Sequence, residues 1–195
     1  MICSSLPKEG KTTMVVSLAR MLASVGQKVI VVDCDLRRPV VHEIFGLSSE
    51  PGLIECLSGD AALEEVIQTD QYSGADLVSA GTPVAHSSNH LGSQSMMKVL
   101  DALAQRYDFV IIDTAPVMAV SDSLVLSRLV DTTVFLVRWA ETRRETAING
   151  LRQIIESGGN VAGVLLTMVD VKEHALYGFG DSGSYTGTIK KYYSG

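Results

Sequence analysis

Short apolar runs alternate along this chain with segments in which apolar residues recur every three or four positions. The runs have strand length and are rich in Val, Ile and Leu, so they predict buried strands at 28–33, 75–80, 109–113, 132–137 and 161–167. The segments between them predict helices at 12–26, 93–107, 120–130 and 143–159. Gly26 and Gly158 stand where such helices commonly stop. This alternation predicts a doubly wound α/β fold with a mostly parallel sheet.

The alternation ends near Asp170. Residues 171–195 are rich in Gly, Ser and Tyr and hold few aliphatic side chains that could offset the entropy of ordering. We therefore expect one domain at 1–170, followed by a disordered, tyrosine-rich tail at 171–195. Residues 1–3 form an apolar stub that predicts the end of a strand, so we expect the first strand of the domain to be truncated.

Composition narrows the classes of protein to consider. The chain has 195 residues, 46% of them hydrophobic, and a net charge of -6, which argues against a generic nucleic-acid-binding surface. Three cysteines, Cys3, Cys34 and Cys56, show no paired spacing, which favours reduced core thiols over disulfides or zinc. The four histidines are scattered, so they predict no metal site of their own. No apolar run approaches the roughly 20 residues that span a bilayer, and a soluble chain is expected.

The stretch SSLPKEGKTT, residues 4–13, follows the apolar stub and opens a predicted helix. Loop amides and the helix N-terminus would converge there on one point that favours a polyphosphate. Gly10 would let the backbone approach a phosphate, Lys11 would bring positive charge, and Thr12 would offer a hydroxyl ligand to Mg²⁺. Ser5 stands where the common phosphate-loop pattern has its first glycine. The alternative interpretation is an ordinary strand-to-helix turn with a solvated lysine.

Three aspartates follow apolar strands at the same predicted edge of the sheet. Asp33 and Asp35 come at the end of VIVVDCD, and Asp113 ends FVIID. Ligands of open α/β sheets bind at this carboxyl edge. Alternation of side chains along a strand predicts that Asp33 and Asp35 share a face. Together the three aspartates indicate a site that binds Mg²⁺ and activates a nucleophile, although any one of them could instead serve as a helix cap or turn residue.

In their order along the chain, SSLPKEGKTT, VVDCDLRRP and VIIDTAPV resemble the Walker A, A′ and B motifs of the bacterial tyrosine autokinases of capsule and exopolysaccharide export. PGLIECLSG and GTPVAHSSNHLGSQSM resemble the connecting segments of that family, so the similarity covers nearly the whole chain. The family accepts small residues other than glycine at the position of Ser5. The alternative is a MinD/ParA-like ATPase that acts as a nucleotide-dependent dimerisation switch. Those proteins carry a signature lysine at the position of Leu6.

The resemblance implies a P-loop NTPase fold and transfer of the γ-phosphoryl group of ATP to tyrosine, with ATP and Mg²⁺ as cofactors. It implies nucleotide contacts from Ser5, Pro7, Glu9, Gly10, Lys11, Thr12 and Thr13. It implies Mg²⁺ contacts from Thr12, Asp33 and Asp113. The catalytic residues would be Lys11, Asp33 and Asp35, with Asp33 as the base. The phosphate acceptors would be Tyr177, Tyr185, Tyr192 and Tyr193 in the tail.

The same resemblance implies partners. Neighbouring subunits of a homo-oligomer would phosphorylate one another's tails, a membrane chain-length (co-polymerase) protein would activate the kinase, and a cognate tyrosine phosphatase would reverse the reaction. No nucleic acid is expected. The chain would be cytoplasmic, either peripheral to an inner-membrane protein or fused to one. For Arg37 and Arg38 the resemblance implies a phosphate or subunit-interface contact, and the alternative is a solvated turn.

Overall fold

The computed structural model describes residues 1–84 and 87–176. Within them the chain forms one seven-stranded sheet, ordered β3-β4-β2-β5-β1-β6-β7. The strands are β1 Ile2–Ser4, β2 Val29–Asp33, β3 Ile67–Thr69, β4 Asp76–Val78, β5 Phe109–Asp113, β6 Thr133–Arg138 and β7 Val161–Thr167. All neighbouring strands run parallel except β3, which pairs antiparallel with β4 at one edge. The predicted mostly parallel sheet is confirmed.

Helices cover both faces of this sheet. They are α1 Lys11–Ser24, α2 Val41–Phe45, α3 Leu53–Ser58, α4 Leu63–Val66, α5 Ser87–Leu91, α6 Gln94–Ala104, α7 Asp122–Leu126, α8 Arg144–Glu156 and α9 Val171–Leu176. Alternate residues of β2 face opposite sides: Val29 and Val31 pack with α1 and α2, whereas Ile30 and Val32 pack with α3, α6 and α8. The two apolar cores show that the fold is doubly wound.

The helix predictions were right in place and less accurate in extent. Of the predicted helix at 120–130 only Asp122–Leu126 is helical, and α1 begins at Lys11 and ends at Ser24. Gly26 and Gly158 adopt positive φ just beyond α1 and α8, which confirms them as stops. The short elements α2, α3, α4 and β3 were not predicted, because each spans only three to six residues and gives no periodic pattern.

Several further expectations can be compared with the described residues. Cys3 and Cys34 are buried in the core, as predicted, whereas Cys56 is only half-buried. No helix in the described part of the chain is long and apolar enough to cross a membrane. The first six residues of the predicted tail form α9, and the four tail tyrosines lie outside the described residues, as does His86.

Candidate active site

The phosphate loop joins β1 to α1. Gly10 caps α1 with φ 89°, a left-handed conformation that favours glycine, and no acidic residue stands in the first turn of the helix. Lys11 is 7% exposed, and its Nζ donates to Ser4 Oγ at 3.1 Å. The positive end of a 14-residue helix and a buried ammonium group therefore converge at one point. This arrangement fits the phosphates of a nucleotide, with Pro7 and Thr13 exposed on the loop and the first helical turn.

The Glu9 side chain stabilises the phosphate loop by hydrogen bonds inside the protein. It is buried, and Oε2 accepts the Leu6 N–H at 2.6 Å while Oε1 accepts the Thr142 hydroxyl. The hydroxyl of Thr167, at the end of β7, donates to the Glu9 carbonyl at 2.9 Å. Because the Glu9 carboxylate is engaged inside the protein, a phosphate contact from this residue would come from its backbone N–H.

Ser5 faces α8. Its Oγ donates to the Thr146 carbonyl at 3.1 Å, and the residue is fully buried. A Cβ added to Gly150 of α8 would lie 2.6 Å from that Oγ, so the glycine leaves the space that the serine side chain occupies. The Ser5 side chain therefore fits beside α8 because that helix, far away in sequence, carries glycine at position 150.

Thr12 and Asp113 form a pair suited to Mg²⁺. Thr12 Oγ1 donates to Asp113 Oδ2 at 2.7 Å, and Asp113 ends β5 with 1% exposure. Burial raises the pKa of Asp113 to about 6, opposed by the Thr12 hydrogen bond and the Lys11 charge. A hydroxyl and a carboxylate beside a phosphate site are the oxygen ligands that Mg²⁺ takes in nucleotide-binding proteins. The residues present therefore fit the ion.

Asp33 lies opposite Asp113 in the pairing of β2 with β5. It is fully buried, with Oδ1 accepting the Asp35 N–H at 3.1 Å and Oδ2 accepting the Val41 N–H at 3.3 Å. Burial, followed by the nearby Asp113 charge, raises its pKa well above the usual range. Asp33 thus also organises the loop between β2 and α2.

Asp35 comes after the end of β2, so the strand alternation that placed it on one face with Asp33 does not reach it. The two are joined instead by the hydrogen bond from the Asp35 amide. Asp35 is half-buried, and its Oδ1 accepts the Arg38 N–H at 3.2 Å. Burial raises its pKa, and the Arg38 hydrogen bond opposes this. Asp35 is the more exposed of the two aspartates.

The structure thus brings Lys11, Thr12, Asp33, Asp35 and Asp113 to one edge of the sheet, while the tail tyrosines lie outside the described residues. Sequence reasoning missed the supporting contacts, which come from Ser4, Asp122, Thr142 and Thr167. Ser4 stands in the SSLPKEGKTT stretch without an assigned role, and no local motif marks the other three. The only signal for Asp122 was a second aspartate shortly after the Walker B stretch, and it stood inside a predicted helix.

Comparisons with known proteins identify the family of this chain. A family model described as an AAA domain matches residues 8–171. Tyrosine-protein kinase etk of Escherichia coli is 34% identical over 180 residues, which cover 92% of this chain and 25% of that protein. Tyrosine-protein kinase YwqD of Bacillus subtilis is 30% identical over 179 residues, which cover 92% of this chain and 76% of YwqD. The chain belongs to the bacterial tyrosine-protein kinase family.

Two solved structures are similar to this chain over most of its length. The kinase domain of the E. coli tyrosine kinase ETK superposes with a TM-score of 0.83 at 34% identity, covering 85% of this chain and 65% of that one. The septum site-determining protein MinD of Pyrococcus horikoshii, complexed with Mg-ADP, superposes with a TM-score of 0.72 at 22% identity, covering 85% of this chain and 68% of that one. The MinD likeness shows the shared P-loop fold alone. The kinase-family chain spans about a quarter of the length of etk.

Proposed function

We propose that this chain is an ATP-dependent protein-tyrosine kinase that phosphorylates the tyrosines of its own C-terminal tail. The observation that carries the proposal is the Thr12–Asp113 hydrogen bond of 2.7 Å beside the buried Lys11, in a chain 30–34% identical to tyrosine-protein kinases. Phosphoryl transfer needs positioning and charge neutralisation more than covalent chemistry, and these residues supply both.

Each group has a role in the proposal. Lys11 and the loop amides hold the phosphates of ATP, and Thr12 and Asp113 hold Mg²⁺ directly or through water. The ion would neutralise charge that develops on the phosphoryl oxygens. Asp33 and Asp35 orient and deprotonate the phenol. We assign the base to Asp33, because it matches the first aspartate of the Walker A′ motif in the kinases that this chain resembles. Asp33 also stands beside Asp113, where it can contact the ion.

The wider setting follows from the resemblance. We infer that Tyr177, Tyr185, Tyr192 and Tyr193 are the acceptors and that they enter the active site of a neighbouring subunit, because a Gly- and Ser-rich segment can reach beyond its own domain. A membrane chain-length protein would activate the kinase, and the reaction would regulate exopolysaccharide or capsule export. The dimerisation-switch alternative rests on the fold alone, and Leu6 replaces its signature lysine.

The test is phosphotyrosine formation with Mg²⁺-ATP and an activator fragment, followed by mass spectrometry of the tail. We expect wild type to modify tail tyrosines. Lys11→Ala should neither bind ATP nor transfer phosphate, because it removes the buried cation. Asp33→Asn should bind ATP and lose transfer, with Asp35→Asn as the comparison that separates the two aspartates. ATP turnover without any modified tyrosine in wild type would favour the dimerisation switch.

A further inference from the structure

An ion pair links the Walker A′ loop to the segment that follows the Walker B strand. Arg37 Nε lies 3.7 Å from Asp122 Oδ2, and the Asp122 side chain is 1% exposed against 44% for Arg37. Asp122 is the first residue of α7. Neither residue belongs to the catalytic set proposed above. The buried Asp122 carboxylate is held in place by its surroundings, whereas the half-exposed Arg37 side chain has room to move.

Asp122 is held on a rigid support. The segment between β5 and α7 is tied to the phosphate loop, where Val117 N donates to the Ser4 carbonyl at 2.9 Å and Met118 N to the Ser5 carbonyl at 3.2 Å. Ser123 Oγ donates to the Ala115 carbonyl at the start of the same segment. The Asp122 carboxylate therefore has a defined position relative to the phosphate site.

Arg37 lies on the loop that carries Asp35. The Asp35 carboxylate accepts the Arg38 N–H at 3.2 Å, and the Arg38 N–H also lies 3.2 Å from the Asp35 carbonyl, so Asp35, Leu36, Arg37 and Arg38 form one tight turn. Leu36 is buried beneath that turn. The Arg37 side chain thus links the exposed part of the turn to α7 through the ion pair. The buried Leu36 side chain holds the rest of the turn against the core.

We propose that the Arg37–Asp122 pair is a positioning device that sets the Asp35 turn against the phosphate site, so that it supports phosphoryl transfer and contributes little to nucleotide binding. Without Arg37 the exposed part of the turn would lose its ion pair with α7. The effect on transfer rests on the proposed function, whereas the effect on the turn does not.

Arg38 provides a matched control. It is the adjacent arginine and is exposed like Arg37, yet the ion pairs found within the described residues include Arg37 and not Arg38. Arg37→Gln and Arg38→Gln remove the same charge from the same turn. Both sites are exposed, so neither change opens a cavity. Arg37→Lys keeps a cation that can still reach Asp122.

The first measurement is hydrogen exchange across residues 34–41 of the whole chain. We expect Arg37→Gln to accelerate exchange there by about tenfold over wild type, with Arg38→Gln close to wild type and Arg37→Lys in between. The second is transfer and ATP affinity with the activator fragment. Arg37→Gln should slow phosphotyrosine formation about 10- to 100-fold while the ATP dissociation constant stays within about twofold.

The outcomes distinguish this inference from the proposed function. If wild type makes no phosphotyrosine, the kinase proposal fails, and the exchange comparison alone decides the positioning role. Equal exchange in the two Gln variants would overturn that role. So would a transfer rate that is the same in Arg37→Gln and Arg38→Gln, or a loss of transfer explained wholly by weaker ATP binding. Asp122→Asn should reproduce Arg37→Gln wherever it folds with an unchanged melting temperature.

Discussion

At the scale of single residues, the site concentrates buried negative charge before any ligand is considered. Asp33 and Asp113 sit on adjacent strands, both buried, and the pKa of each is raised chiefly by burial. Charged carboxylates in such a place destabilise the folded chain, and a cation relieves that cost. The site therefore favours the binding of a cation in addition to the Lys11 ammonium group.

The pH dependence of stability in the Asp113→Asn variant tests this preference for a cation. The pKa of Asp113 is raised from 3.8 to about 6, so its contribution to stability is fully present below about pH 3.8 and is lost as pH rises through 6. We expect the free energy of unfolding of the variant to lack this fall with pH. At pH 7.5 it should exceed that of wild type by about 1–2 kcal/mol. Urea unfolding at pH 4.5 and 7.5 measures it, with the exposed Asp101→Asn as control.

The same variant should lower the affinity for ATP in the presence of Mg²⁺ and leave the affinity in EDTA nearly unchanged, because Asp113 is proposed to hold the ion and not the phosphates. Calorimetry with and without Mg²⁺ separates the two. A wild-type pH dependence of stability in Asp113→Asn would show that other carboxylates, Asp33 foremost, carry the effect.

At the level of the elements, α3 is docked by close backbone contacts in addition to the buried side chains of Leu53 and Ile54. Leu53 N donates to the Ser79 carbonyl at 2.7 Å, just beyond β4. A Cβ on Gly52 would lie 2.3 Å from Gly81 N and 2.6 Å from the Ser79 carbonyl oxygen. Both are backbone atoms, so the contact cannot relax by a side-chain rotation.

We expect Gly52→Ala to lower the free energy of unfolding by about 2 kcal/mol or more, because α3 must move away from the sheet to accept the methyl group. Gly163→Ala is the control: it lies in β7, where an added Cβ meets nothing within 4 Å. Denaturant titration of both variants gives the comparison. Equal stabilities would mean that α3 shifts at no cost and that the close approach is unimportant.

Periodicity predicted the long elements and the mostly parallel sheet, because β2, β5, α1 and α8 each carry enough residues to show a pattern. It could not predict α2 or α3, whose existence depends on tertiary contacts such as the burial of Phe45 against α1. The Thr12–Asp113 pairing was predictable from two motifs. The Arg37–Asp122 pair was not, because Asp122 belongs to no motif that would connect it with Arg37.

At the scale of the whole molecule, a ligand that binds only the folded state stabilises every element at once. At 100 times its dissociation constant Mg²⁺-ATP should add about 2.7 kcal/mol, which corresponds to a rise of roughly 5–10 °C in melting temperature for a chain of this size. EDTA should reduce the rise. Lys11→Ala should abolish it, and Lys28→Ala, a lysine just before β2 at the opposite end of the strand, should not. An equal rise in Lys11→Ala would place the nucleotide elsewhere.

The contact between Ser5 and Gly150 constrains how such a protein can change over evolutionary time. A Cβ at 150 would lie 2.6 Å from Ser5 Oγ, 2.9 Å from Phe135 Cζ and 3.1 Å from Val117 Cγ1, so glycine at 5 alone would not make room for it. Position 150 is therefore expected to stay glycine as long as the phosphate loop, the core beneath α8 and the segment after β5 keep their places. One residue of α8 in this way limits sequence change in three separate parts of the chain.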